Sequence, residues 1–222
     1  MIFPLAFPLL LGLFLLLLAV LVLVFELRVL SYAYRKIGVP PRYMFVVMLV
    51  SLLGSHFNIP LFELRVAQVA PPADATVFGR TYVPPPVVQR GATVVAINVG
   101  GALVPILLSL YLFLRLRMRG RMLLGTAIVA VIVHSLARIV PGVGIAVPMF
   151  LPPLAAAAVS LALAFRQAPP LAYVSGSMGA LIGADLWNLP QVAEIGAPVV
   201  AIGGAGTFDG VFLTGIIAGL LA

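Results

Sequence analysis

Apolar residues run along this chain in long blocks, interrupted by short polar stretches and by clusters of glycine and proline. A helix needs about 20 apolar residues to cross the hydrocarbon core of a bilayer. Seven blocks meet that length, at about 3–25, 44–64, 93–114, 122–139, 143–165, 170–190 and 197–221. Only Arg138 and Pro141-Gly142 separate the fourth from the fifth, so six spans and one re-entrant segment is the alternative. The pattern predicts an all-α, polytopic transmembrane helix bundle, a single membrane domain over 1–222. Some spans should be kinked or broken at Gly and Pro, the fifth above all, through Pro148, Pro152 and Pro153. The first block has no basic flank ahead of it and is too long for a signal-peptide core, which predicts a retained span.

Between the second and third spans lies the one sizeable extramembrane loop, 65–92. Pro71-Pro72 and Pro84 to Pro86 exclude a long helix there, and the alternation in TVFGRTYV fits a short strand or hairpin. A substrate-guiding lid and a plain linker both fit this loop. No internal repeat stands out, which disfavours transporter folds built on inverted duplication.

Composition sharpens the picture. Hydrophobic residues make up 63% of the chain and charged residues 9%, which excludes a soluble domain of this size. The absence of cysteine removes disulfides, thiol nucleophiles and cysteine-ligated metals. The net charge of +7 is distributed unevenly. Arg28, Arg35, Lys36, Arg42, Arg115, Arg117, Arg119, Arg121 and Arg166 fall on one side of the predicted spans, against Arg65, Arg80, Arg90 and Arg138 on the other. The positive-inside rule then places the N-terminus outside and the C-terminus inside. The basic residues point to anionic membrane lipid as a partner, not to nucleic acid.

The chemistry concentrates in two carboxylates. Asp185 and Asp209 sit inside apolar, glycine-rich segments, GALIGADLWNLP and GGAGTFDGVFLTG, whereas the other four acidic residues lie at or beyond the ends of apolar blocks. A carboxylate at mid-bilayer costs about 2.5–3.5 kcal/mol on insertion scales, so it normally faces the protein and has a task there. Asn188 follows Asp185 by three positions, close enough on a helix to hold or polarise it. Gly203, Gly204, Gly206 and Gly210 crowd Asp209, and Thr207 adds a hydroxyl. Glycine at that density predicts unwound backbone between Val199 and Leu221. A nucleotide-binding glycine loop is excluded on the expectation that no strand precedes it. His56, Asn98, His134 and Arg138 are further polar residues within predicted spans, and His134 and Arg138 are expected to share a helix face. Together they outline a polar cavity that opens outward. No metal-binding spacing is present, and neither a metal nor a cofactor is expected.

GGAGTFDGVFLTGIIAGLLA and the upstream GADLWNL resemble a prokaryotic family of small integral membrane proteins of unknown function, over most of spans four to seven. That resemblance implies the prokaryotic cytoplasmic membrane. More distantly, the paired segments are similar to the presenilin and signal-peptide-peptidase group of intramembrane aspartyl proteases. There one Asp follows Tyr in a span, a GxGD motif carries the second, and a PAL motif lies nearby. The match is partial. Ala184 stands where that group has tyrosine, Thr207 and Phe208 separate Gly206 from Asp209, and Pro153-Leu154-Ala155 precedes both aspartates.

Three functions follow. The first is an intramembrane aspartyl-type hydrolase acting on a membrane-embedded peptide, with Asp185 and Asp209 sharing one proton. The second is a channel or carrier for protons or small cations, using the same pair with His56, Asn98 and His134. The third is an accessory membrane subunit whose aspartates pair with Arg138 or a histidine. The oligomeric state is left open.

Overall fold

Long apolar runs fold as helix, but three of the expected spans change to extended backbone partway along. The computed structural model describes residues 6–65, 75–77, 80–82, 92–140, 144–192, 197, 199–204 and 210–222. In chain order these form α1 (Ala6–Ile37), α2 (Pro41–Gly54), β1 (Asn58–Arg65), a small hairpin of β2 (Ala75–Val77) and β3 (Arg80–Tyr82), and β4 (Ala92–Asn98). A π-helical turn, Val99–Leu103, leads into α3 (Val104–Arg115), then α4 (Arg119–Leu136), and a second hairpin of β5 (Arg138–Val140) and β6 (Gly144–Ala146). Next come α5 (Leu151–Ala164) and α6 (Ala168–Ala180), which continues into a π-helical turn over Leu181–Leu186. The last elements are β7 (Val199–Ile202) and α7 (Gly210–Leu221).

Three helical stretches are long and apolar enough to cross a membrane: Pro8–Ile37, Arg119–Leu136 and Leu151–Gln191. This corrects the expectation of seven spans and of an all-α chain. The third stretch folds back at the tight turn Phe165–Gln167, so that Ser160 and Ser175 face one another with their hydroxyls 3.1 Å apart. The expected second, third and seventh spans are composites, α2 with β1, β4 with α3, and β7 with α7. Their helices are short. The 14 residues of α2 reach about 21 Å at 1.5 Å per residue, less than the hydrocarbon core of about 30 Å. Pro152 and Pro153 do not kink a span. They open α5 in its first turn, where a missing N–H costs nothing.

The core forms around α6, whose residues Leu171 to Ser177 are all buried. Small side chains on α6 admit its neighbours closely: Gly176 lies against Ala156 of α5 and Thr214 of α7, and Gly179 against Val129 of α4. Most of α1 is exposed apolar surface, from Leu9 to Phe25, and it joins the core through its last turns at Ala33, Tyr34 and Ile37. The helix ends sort by charge. Arg35 and Lys36 end α1, Arg115 ends α3, Arg119 and Arg121 open α4, and Arg166 lies in the turn before α6. Lys36 Nζ donates to Leu220 O at the end of α7, 2.8 Å away. The strand-to-helix junctions gather at the other end.

There β1, β4 and β7 form one mixed sheet in the order β1-β4-β7, antiparallel then parallel. The parallel pair exposes a repeat that the linear chain conceals. Residues 91–97 read GATVVAI and residues 196–202 read GAPVVAI. The shared VVAI pairs with itself in register, Val94 with Val199 through Ile97 with Ile202. Upstream, Leu53-Gly54 and Ile182-Gly183 each lead to an Asn-x-Pro, at Asn58–Pro60 and Asn188–Pro190. The second copy carries one more residue between glycine and asparagine, in the π-helical turn. The expectation of no internal repeat is thereby corrected. The two copies run in the same direction, so the duplication is not inverted.

The first junction is held by Asn98, which is buried. Its Oδ1 accepts from Gly101 N at 2.7 Å, and its Nδ2 donates to Ser55 O at 2.7 Å and Asn58 Oδ1 at 2.9 Å. Ser51 Oγ donates to Gly100 O at 3.0 Å, drawing the end of α2 onto the turn. Asn98→Ala removes three hydrogen bonds and orphans the buried Gly101 N. The expected loss is about 2–3 kcal/mol, read as a lowered unfolding midpoint in detergent. Asn58→Ala removes one of these bonds and should cost about 1 kcal/mol. Equal midpoints for Asn98→Ala and wild type would show that this amide does not hold the junction.

Candidate functional site

The second junction differs from the first in its chemistry. α6 widens at Leu181–Leu186 into a π-helical turn, closed by Trp187 N to Ile182 O at 2.9 Å. Gly183 lets this turn lie against α4, because a Cβ there would run into the backbone of Ala130. Such wide turns leave main-chain carbonyls short of partners and recur at functional sites. Here side chains supply the partners. Asn188 Nδ2 donates to Ala184 O at 2.7 Å and to Gly183 O at 3.2 Å, and His134 Nδ1 lies 3.3 Å from Gly183 O.

Asp185 is half-buried within this turn. Its Oδ2 accepts a hydrogen bond from Gly203 N, 2.7 Å away. Gly203 follows β7 directly and has φ +74°, a left-handed conformation that suits glycine alone at little cost. It also packs against the first junction, since a Cβ on Gly203 would come within 2.7 Å of Ala102 N and 2.8 Å of Gly101 C. Gly204 N closes the turn onto Ala201 O at 3.0 Å. Asp185 thus fixes the backbone at the end of one VVAI strand, and Asn98 does so at the end of the other.

α7 returns antiparallel along α6. Gly215 lies against Ser177 and Tyr173, and Gly219 near Pro169 O. Val211, in the first turn of α7, joins Ala180, Leu181 and Ile202 in one buried cluster. Gly210 therefore opens α7 at the level where the turn bearing Asp185 begins. Asp209, Gly206 and Thr207 lie outside the described residues. Beside the turn a cavity of about 320 Å³ is lined by Phe62, Leu64, Leu186, Leu189 and Pro190.

Several expectations change on this geometry. Asn188 serves the carbonyls of the π-helical turn instead of the carboxylate, because the extra residue in that turn shifts the helical spacing. His134 and Arg138 do not share a helix face, since α4 ends at Leu136 and Arg138 begins β5. His56 is exposed at the end of α2, with Nδ1 3.3 Å from Leu52 O and 3.4 Å from Ser55 Oγ. A strand does precede the glycine segment, contrary to the ground on which a nucleotide loop was excluded. Extended backbone at Val199–Ile202 agrees with the unwinding expected there. Asn188 and His134 come together around Gly183 O, in the turn that carries Asp185, and Asn98 reaches Gly203 through Gly101 and Ala102. Trp187 was not singled out, although it is the sole tryptophan. Its ring meets that of His134 edge-on at 5.3 Å.

The chain belongs to the family described as "Protein of unknown function (DUF1614)", whose model matches residues 52–221. No curated protein and no solved structure matches it.

The junction makes a prediction about stability. Asp185→Asn keeps a neutral acceptor facing Gly203 N and should cost less than about 1 kcal/mol. Asp185→Ala leaves that N–H unpaired and should cost about 1–3 kcal/mol. Gly203→Ala adds a strained backbone of about 1–3 kcal/mol to a clash with Ala102. Unfolding midpoints in detergent should therefore fall in the order Asp185→Asn, Asp185→Ala, Gly203→Ala. Wild-type stability in Asp185→Ala would mean that the bond does not secure the junction.

Proposed function

We propose that this protein is an intramembrane aspartyl-type hydrolase, with Asp185 and Asp209 as the catalytic pair. The observation that carries this reading is the bond from Gly203 N to Asp185 Oδ2, 2.7 Å long. It ties one carboxylate to the segment that leads into the other. The antiparallel packing of α7 on α6 adds support, because Asp209 is the residue covalently before Gly210. The Gly203 bond occupies Oδ2, and no described residue hydrogen-bonds Oδ1, which is left to hold a proton or meet water. The partial likeness to presenilin and signal-peptide-peptidase proteins points the same way.

In this reading the pair holds one proton. The ionised carboxylate takes a proton from water as the water oxygen attacks a peptide carbonyl carbon, and the protonated partner gives its proton to the carbonyl oxygen. Collapse of the resulting gem-diol breaks the C–N bond, with a proton passing to the leaving nitrogen. The cavity lined by Phe62, Leu64, Leu186, Leu189 and Pro190 would take an apolar side chain of a membrane-embedded peptide. The basic helix ends favour a cytoplasmic location for that end of the bundle in a prokaryotic cytoplasmic membrane, with the N-terminus outside and the C-terminus inside.

One observation favours a second reading, a proton or small-cation carrier. Three apolar blocks change between helix and strand partway along, and Asp185 accepts a hydrogen bond at the end of one of those strands, an arrangement akin to the broken helices of ion-coupled transporters.

The test is reconstitution in liposomes with a panel of fluorogenic single-span peptides. Wild type should cleave at least one of them, and Asp185→Asn and Asp209→Asn should each lower the rate by about a hundredfold or more. Full activity in either variant rejects the pair. No cleavage, combined with ion flux that depends on Asp185, would transfer the site to the carrier reading.

A further inference from the structure

The basic end of the bundle contains a separate cavity of about 420 Å³, lined by Arg121, Leu163, Ala164, Phe165, Arg166 and Gln167. It lies where the first turn of α4 meets the tight turn between α5 and α6. The acidic side chains among the described residues are Glu26, Glu63 and Asp185, and none lines this cavity. Both arginines therefore face it without a carboxylate. The start of α4 adds positive charge of its own, with no acidic residue in its first turn and no side chain capping its N-terminus. That helix end and the guanidinium groups repel one another unless an anion lies between them.

The apolar part of the wall narrows the choice of anion. Phe165 is 79% exposed, and Leu163 lies beside it. An exposed phenylalanine at the end of an apolar helix belongs against acyl chains, while guanidinium forks suit phosphate oxygens. We propose that this cavity binds the phosphodiester headgroup of an anionic membrane lipid. Arg121 and Arg166 hold the phosphate, and Phe165 lies along the start of an acyl chain. The site is separate from Asp185, at the opposite end of α6.

Native mass spectrometry of the full chain in detergent tests this with phosphatidylglycerol and phosphatidylcholine as probes. Wild type should retain phosphatidylglycerol in preference to phosphatidylcholine by about tenfold or more. The double variant Arg121→Gln/Arg166→Gln should lose that preference while its lipid-free unfolding midpoint stays at the wild-type value. If the double variant does not fold, Arg166→Gln alone, in an exposed turn, should show at least a threefold loss, about half the effect on a logarithmic scale. An undiminished preference in the folded variants, or none in wild type, overturns the proposal. So does complete displacement of the lipid by millimolar inorganic phosphate, which would make this a site for the free anion.

Discussion

A break in an apolar span leaves main-chain N–H and C=O groups without partners in a place where water is scarce, and everything at the junction end of this bundle answers that constraint. Each unsatisfied group in hydrocarbon costs several kcal/mol. The protein meets the cost with a few side chains set at the breaks. Asn98 bridges α2, β1 and the turn before α3. Ser51 takes up the carbonyl of Gly100, and Asn188 serves two carbonyls of the wide turn after α6. The strands then carry the chain away from the helices with their hydrogen bonds paired in a sheet.

Within that scheme Asp185 stands apart. An amide can both donate and accept, and Asn98 uses both capacities to close the first junction. The second junction needs an acceptor for one N–H, and the chain supplies it with a carboxylate. A serine or asparagine would make the same bond without bringing a charge into an apolar bundle. The more costly residue at a place where a cheaper one would suffice is the physical reason to read Asp185 as functional.

Much of this was legible in the sequence, and the limits have physical causes. Hydropathy located every apolar block, because burial in lipid and burial in protein select the same residues. It could not separate a helix from a helix joined to a strand. VVAI and NIPLFEL are as apolar as their helical neighbours, and the blocks ran on through the junctions. Glycine density did mark the break before α7, where main-chain geometry depends on that residue type. The Asn98 network was beyond reach, since its partners Ser55 and Asn58 lie some forty residues away and meet it only through the β1–β4 pairing. The repeat was missed for a similar reason. Its two copies are separated by four helices and interrupted by unequal insertions, and only the in-register pairing of β4 with β7 aligns them.

Two copies of one phrase that lie side by side in register end at the same height, so Asn98 and Gly203 occupy equivalent steps. The two junctions therefore share one mechanical footing. The amide of Asn98 and the carboxylate of Asp185 are braced against each other through Gly101, Ala102 and Gly203, so a displacement at either step is carried to the other.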